Sequence, residues 1–267
     1  MRHALYVAPF DSLSDPIVAV DLACAAEGAG WDGVFLWDHM WRPSDSSPAV
    51  GDAWITLAAM AAKTSSIRLG PMIVPLARRR PQKVARESVA LDRLSRGRVT
   101  IGVGLGVDTD GELGRFGEVV DERRRGDVLD EALSLLLELW TGEEVNHHGP
   151  NFTADRVRFE PKAIQEPRIP VWGAARGGAG ARPLRRASQL DGIFPVGTSV
   201  AQLADMLETI STIRGGVDNF DVAIVAPRDA DVDRLEHAGV TWMLRSIEIG
   251  LPADQAIQLA SEAPPAR

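Results

Sequence analysis

Residues 67–106 read IRLGPMIVPLARRRPQKVARESVALDRLSRGRVTIGVGLG. An apolar run, IRLGPMIVPL (67–76), passes into a basic turn. After Pro81 comes a helical pattern carrying Val84, Val89 and Leu91, which ends near Arg96-Gly97. A second apolar run, VTIGVG (99–104), follows. The expectation is strand, helix, strand. Both runs are almost continuously apolar rather than alternating, as strands buried on both faces of a parallel sheet are. Pro71 and Pro75 cannot donate to a sheet ladder, so the first strand is expected to bulge or bend.

The alternation continues outward in both directions. Upstream are the runs LYVA (5–8) and GVFLW (33–37); downstream are PVWGAA (170–175), GIFPVG (192–197), FDVAIVA (220–226) and VTWMLR (240–245). With the two above, that makes eight strands. Ser14-Asp15-Pro16 starts a helix with Ile17, Val20, Ala23 and Cys24 on one face, and Asp52 caps another with Trp54, Leu57, Ala58 and Ala61. Leu129, Leu133, Leu136, Leu137 and Trp140 give the clearest helical spacing, and Gly142 ends that helix. Further helices are expected over 182–190, 200–213, 230–237 and 253–261. Eight strands alternating with helices predict an α/β chain folded as a single (β/α)8 TIM barrel, one domain over residues 1–267. The competing doubly wound sheet would more often have five or six strands. No linker or internal repeat divides the chain, and Ala263-Pro264-Pro265-Ala266-Arg267 reads as a loose end. Loops 38–51 and 105–122 exceed plain connectors. They follow strands two and four, at the end where barrel enzymes build their sites. Segment 143–169 is expected to hold a small hairpin around His148-Gly149.

Composition narrows the functions. Lys plus Arg is 29 against 37 Asp plus Glu, a formal charge of −8. That disfavours nucleic acid and anionic membranes as partners. No apolar run reaches the ~18 residues of a membrane span. One cysteine, Cys24, excludes an internal disulfide and fits a reducing cytoplasm. The start, MRHALYVAPF, lacks a signal-peptide pattern.

Several residues could carry chemistry. Asp38-His39 follows a strand directly, where a carboxylate and an imidazole can tune a proton carrier. Gly102, Gly104 and Gly106 form G-x-G-x-G, but Val107 stands at the sixth position, where a dinucleotide fingerprint has its third glycine, and Asp108, Thr109, Asp110 and Gly111 continue as loop. Small residues there still let a flat ring approach the backbone. Arg176-Gly177-Gly178-Ala179-Gly180-Ala181-Arg182 leads into a helix and offers backbone N–H groups, a helix N-terminus and two arginines for an anion. Arg78-Arg79-Arg80 could meet phosphates or form a solvated turn. Glu122-Arg123-Arg124-Arg125 reads as a helix face, His147 and His148 as surface residues, and His3 and His237 as structural. No metal site is expected. Metal-dependent barrel hydrolases need histidines at the end of strand one, typically H-x-H, and this strand runs LYVAPFD.

In order along the chain, AEGAGWDGVFLWDHM (26–40), residues 67–106, FEPKAIQEPRIPVWGAA (159–175), RRASQLDGIFPVG (185–197) and AGVTWMLRSIEIG (238–250) resemble the luciferase-like monooxygenase family. The R-R-x-P and L-D-x-L-S-x-G-R core of 67–106 is the most specific part. The resemblance implies an oxidoreductase or monooxygenase using FMN or the 5-deazaflavin coenzyme F420 in reduced form. Its partners would be a small organic substrate, a second copy of the chain and a separate flavin reductase. It places Asp38 and His39 beside the ring as the catalytic pair. It also implies a non-proline cis peptide at Met72-Ile73 behind the ring, Gly104, Leu105 and Gly106 along its border, and Arg176, Gly177 and Gly178 at its phosphate. Trp41 and Trp54 fall near the ring in the same picture. The family's sugar-phosphate dehydrogenases carry a glutamate just after the G-x-G; Val107 stands there, which argues against sugar-phosphate oxidation. The rival reading within the family is a non-catalytic flavin-binding accessory barrel.

Overall fold

The computed structural model describes residues 1–43, 49–108, 110–178, 180–227 and 230–265. Thr109, Ala179, Ala266, Arg267 and part of the 38–51 loop therefore lie outside the described residues.

The strands are β1 (Arg2–Val7), β2 (Gly33–Leu36), β3 (Arg68–Pro71), β4 (Val74–Pro75), β5 (Ile101–Gly104), the hairpin β6 (Glu144–His148) and β7 (Thr153–Arg158), then β8 (Val171–Arg176), β9 (Gly192–Val196), β10 (Asp221–Val225) and β11 (Trp242–Ser246). All but the hairpin pair in parallel, in the order β3-β2-β1-β11-β10-β9-β8-β5-β4. The expected strand over 67–76 is split into β3 and β4 around Met72-Ile73, whose peptide is cis. Its lower half bridges the approach to β5, with Thr100 N–H donating to Leu69 O at 2.9 Å, and its upper half pairs with β5 itself. The ring thus closes with eight strand positions, which is the predicted barrel.

The helices are α1 (Pro16–Ala29), α2 (Ala53–Lys63), α3 (Pro81–Leu94), α4 (Glu122–Trp140), α5 (Ala181–Ser188), α6 (Val200–Arg214), α7 (Val232–His237) and α8 (Ala253–Ala260). Their starts follow local chemistry. Asp15, Asp52, Asp121 and Asp231 cap with carboxylates, and Ser199 with Gln202 forms a capping box. The expected face of α1 is corrected. Ile17 and Cys24 are exposed, and the helix buries Ala19, Leu22, Ala23 and Ala26. The segment PIVAVDLACAAEGA is apolar nearly all round, so its periodicity does not point to one side.

Inside the barrel, Phe35, Met72, Trp172, Phe194 and Trp242 form a plug with Ala4, Ala223 and Leu244. Both buried indoles donate to Asp221, each at 3.2 Å. Beneath the plug, the motif after α3 fastens loops. Arg98 donates to the carbonyls of Ala61, Thr64 and Ile67. Buried Asp92 accepts the N–H groups of Ile164 and Gln165. Glu27 accepts those of Ser65, Ser66 and Ile67; burial pushes its carboxyl up, but these hydrogen bonds prevail and hold it at about 2. His147 is half-buried against Glu131 at 3.3 Å rather than on the surface, while His148 is exposed. Among the described residues no helix is long and apolar enough to cross a membrane.

Candidate active site

A cavity of about 1380 Å³ opens at the C-terminal ends of the barrel strands. Tyr6 of β1, Met72 and Ile73 at the β3–β4 break, Gly104 of β5, Ala174 of β8 and Phe194 of β9 make its apolar floor and walls. Trp37, Asp38 and His39 reach it from the end of β2. The floor is sealed flush. A Cβ on Gly104 would lie 2.9 Å from Ile73 Cγ2 and 3.0 Å from the Ala174 Cβ. Gly106, at φ +74°, turns the chain past Pro75.

His39 is the proton-active group on the wall, its side chain 27% exposed. Its ring lies within 6 Å of the Phe10 and Trp37 rings, at 5.7 and 5.6 Å. The imidazole does not bond to Asp38. Consecutive side chains leaving a strand alternate sides, and the buried Asp38 carboxylate faces away, where Arg79 Nη2 and Nε donate to it at 2.5 and 2.8 Å. Trp54 backs that carboxylate at 3.4 Å. The partner of His39 is Glu112: Nδ1 lies 2.7 Å from Oε2. The other oxygen, Oε1, accepts from Met40 N–H at 2.5 Å and from Arg78 Nη1 at 2.6 Å. Arg78 Nη2 continues to the Asp38 carbonyl at 2.8 Å. Burial pushes the Glu112 carboxyl up, but the His39 and Met40 hydrogen bonds, the His39 charge and Arg78 outweigh it, holding it at about 2.

The opposite end of the cavity is lined by Glu122, Arg123, Arg176, Arg182 and Arg186 with Gly180 at the start of α5, and Arg123 and Arg176 supply its positive charge. Arg182 is anchored by Asp127 and Asp130 at 2.7 and 2.6 Å, and Arg186 by Asp130 at 2.6 Å. Arg176 is exposed at the end of β8.

Of the residues singled out in the sequence, Asp38, His39, Met72, Ile73, Gly104, Leu105, Gly106 and Arg176 all line this cavity. Gly177 and Gly178 follow on the same loop but are not among its lining residues. Trp41 and Trp54 are not lining residues either; Trp41 lies under the Arg115 guanidinium and Trp54 is core. The basic runs are also corrected. Arg78 and Arg79 form neither a solvated turn nor a phosphate clamp, because the carboxylates of Asp38 and Glu112 take them up. In the run 122–125, Arg123 reaches the cavity, and buried Arg125 holds the carbonyls of Leu105 and Gly106, each at 3.2 Å. Asp108 serves its own loop, accepting from Leu113 and Gly114 N–H. Glu112 escaped the sequence reading because it sits in an irregular loop, 73 residues from His39, with no spacing to mark it.

The residues present fit a flat ring with an acidic tail. The floor has no Cβ at Gly104, the wall carries the partly exposed imidazole of His39, and the far end presents Arg123 and Arg176. The Trp37 indole N–H is buried without a hydrogen-bond partner among the described residues. Among the described residues no group of three or more His, Cys, Asp or Glu is arranged to hold a metal ion.

Comparison with known proteins agrees with this architecture. The family model for luciferase-like monooxygenase matches residues 11–238. The chain is 31% identical over 93% of its length to the F420-dependent glucose-6-phosphate dehydrogenase of Gordonia bronchialis, and 30% identical over 82% to the protein of the same name from Nakamurella multipartita. It spans 68% and 65% of the lengths of these two relatives. Its fold matches a solved F420-dependent secondary alcohol dehydrogenase in complex with an F420–acetone adduct with a TM-score of 0.79, at 18% identity, over 98% of this chain and 99% of that one.

Proposed function

Because this chain belongs to the luciferase-like monooxygenase family, we propose that it is an oxidoreductase that binds coenzyme F420 and interconverts a small organic alcohol and its carbonyl compound. The observation that carries the proposal is His39, a partly exposed proton carrier on the wall of a cavity with a flush apolar floor and a cationic far end. F420 is preferred over FMN because the two relatives at 30% identity or more described above are named for it.

When bound, the deazaflavin supplies the carbon that accepts or returns a hydride. The protein does the rest. Ile73, Gly104 and Ala174 give the ring a surface to lie on, and Arg123 and Arg176 draw its acidic tail to the far end. Leu105, Val107 and Leu113 border the site and keep water from the reacting atoms. His39, through Nε2, takes the hydroxyl proton of the alcohol or returns one to the carbonyl oxygen. Asp38 acts differently. Bonded to Arg79, it fixes the chain at the end of β2 from which His39 projects. The absence of glutamate at 107 does not leave the site without a carboxylate, since Glu112 brings one. The proposal also takes residues 1–267 as one domain of a homodimeric, cytoplasmic enzyme, with a separate flavin reductase if FMN is the cofactor.

The test is titration of coenzyme F420 and of FMN into the protein, followed by quenching of tryptophan fluorescence, since Trp37 lines the cavity. F420 is expected to bind at micromolar concentration and FMN more weakly. Mixing the complex without oxygen with propan-2-ol or glucose 6-phosphate is then expected to bleach the F420 absorbance with at least one of them. Failure of both cofactors to bind at millimolar concentration overturns the proposal. Tight binding that no alcohol can discharge transfers the chain to the accessory-barrel reading.

A further inference from the structure

We propose that Glu112 is the positioning residue of this site: its carboxylate fixes the neutral His39 ring as the Nδ1–H tautomer, so that bare Nε2 is the nitrogen offered to the substrate. The inference rests on the reading of His39 as the proton carrier.

Donors and acceptors around this one carboxylate can be counted. Glu112 is buried, and its oxygens can only accept while it is ionised. Arg78 supplies a permanent positive charge beside Oε1 at 2.6 Å, and Met40 N–H donates to the same oxygen. Both donors are fixed, one by its constant charge and the other by the backbone. Oε2 is left with one close partner, His39 Nδ1 at 2.7 Å. Two acceptors facing each other at that distance would repel, so the proton between them sits on Nδ1. The lone pair of Nε2 is then free on a side chain that lines the cavity. The same carboxylate ties loop 105–122 to the end of β2, because its partners His39 and Met40 lie on one segment and Glu112 itself on the other. Arg78 holds the pair from behind, with Nη2 on the Asp38 carbonyl.

The consequence is an inversion that a single substitution produces. In Glu112→Gln the carboxamide oxygen must stay with Arg78 and Met40, which can only donate. The NH2 group is then turned toward His39 Nδ1. A donor there demands a bare Nδ1, and the proton moves to Nε2, facing the cavity. The ring keeps its position and changes from acceptor to donor at the reacting nitrogen.

The experiment is two-bond ¹H–¹⁵N correlation on protein labelled at its five histidines, read at a pH where His39 is neutral and assigned by the signal lost in His39→Gln. Wild-type protein is expected to show the Nδ1–H pattern, and Glu112→Gln the Nε2–H pattern. With a substrate that turns over, Glu112→Gln is expected to lower kcat by about two orders of magnitude with little change in KM. Folding well without that carboxylate is not required, because the wild-type spectrum alone decides. An Nε2–H pattern in wild-type protein overturns the proposal, as does an unchanged pattern in a folded Glu112→Gln. Failure to bind F420 would instead defeat the functional reading and leave the tautomer result standing.

Discussion

The two ends of the barrel both hold charged side chains in hydrogen-bonded networks, and they satisfy them with different partners. At the N-terminal end Arg98, Asp92 and Glu27 are matched largely by backbone groups, the carbonyls of Ala61, Thr64 and Ile67 and the N–H groups of residues 65–67, 164 and 165. At the mouth, side chain meets side chain: His39 with Glu112, Glu112 with Arg78, Asp38 with Arg79. A charge matched by backbone fastens a loop and has little else to do. Ionisable side chains linked to each other beside a cavity can take up and release protons. The most recognisable stretch of the chain, L-D-x-L-S-x-G-R over 91–98, belongs to the first kind. It fastens loops at the N-terminal end, and the cavity proposed to carry the chemistry lies on the opposite side of the plug formed by Trp172, Trp242 and Phe35.

That contrast can be broken at either end. The largest effect is expected at barrel closure. In Gly70→Ala the new Cβ would stand 1.7 Å from the Thr100 carbonyl oxygen. This backbone oxygen cannot move without opening the ring, so a loss of about 3 kcal/mol or more is expected, read from urea unfolding. A wild-type midpoint would mean that β3 does not abut β5 there. Next is His39→Ala. Turnover with an accepted alcohol should fall by about two orders of magnitude, well beyond the modest drop in unfolding midpoint expected from leaving Glu112 Oε2 without its partner. Near-wild-type turnover would remove His39 from the chemistry. Arg98→Ala should do the reverse, costing about 2 kcal/mol of stability by leaving backbone acceptors unmet. The fraction that remains folded should bind F420 as wild type does. Loss of F420 affinity in folded protein would erase the distinction between the two ends.

The smallest effect concerns acid. Glu27 and Glu112 are each lowered from 4.5 to about 2 on folding. A depressed carboxyl stabilises the fold fully above its unfolded value and loses that contribution as the pH falls through its folded value. The stability gap between wild type and Glu27→Gln, whose carboxylate is held by backbone N–H groups and Ser66, should be constant above about pH 5 and shrink between about pH 4.5 and 2. Unfolding midpoints measured across that range check it, and a gap that widens with acid would contradict the assignment.

The fold was largely legible because its signals are local. Continuous apolar runs marked each barrel strand to within a few residues, and Pro16, Asp52 and Pro81 marked three helix starts. The side of α1 that is buried was not legible, since an all-apolar helix carries no directional pattern. The cavity was legible where residues leave strand ends, as with His39, Ile73, Gly104 and Arg176. Its hydrogen-bond partners were not. The adjacency of Asp38 and His39 in sequence pointed to a pair that strand alternation separates. Glu112 and Arg78 meet His39 only through the folding of two loops, and no spacing encodes such a meeting. Arg123 was hidden for a related reason, because a helix face of charges looks solvated until a barrel mouth is placed beside it.

The proposed function places a planar redox cofactor at the C-terminal mouth, with its acidic tail at the arginine end. A crystal structure of the protein grown with coenzyme F420 tests it most directly. The ring is expected to pack on Ile73, Gly104 and Ala174, with His39 at its edge and the tail beside Arg123 and Arg176. A ring bound elsewhere on the protein, or a mouth left empty at saturating cofactor, would contradict it.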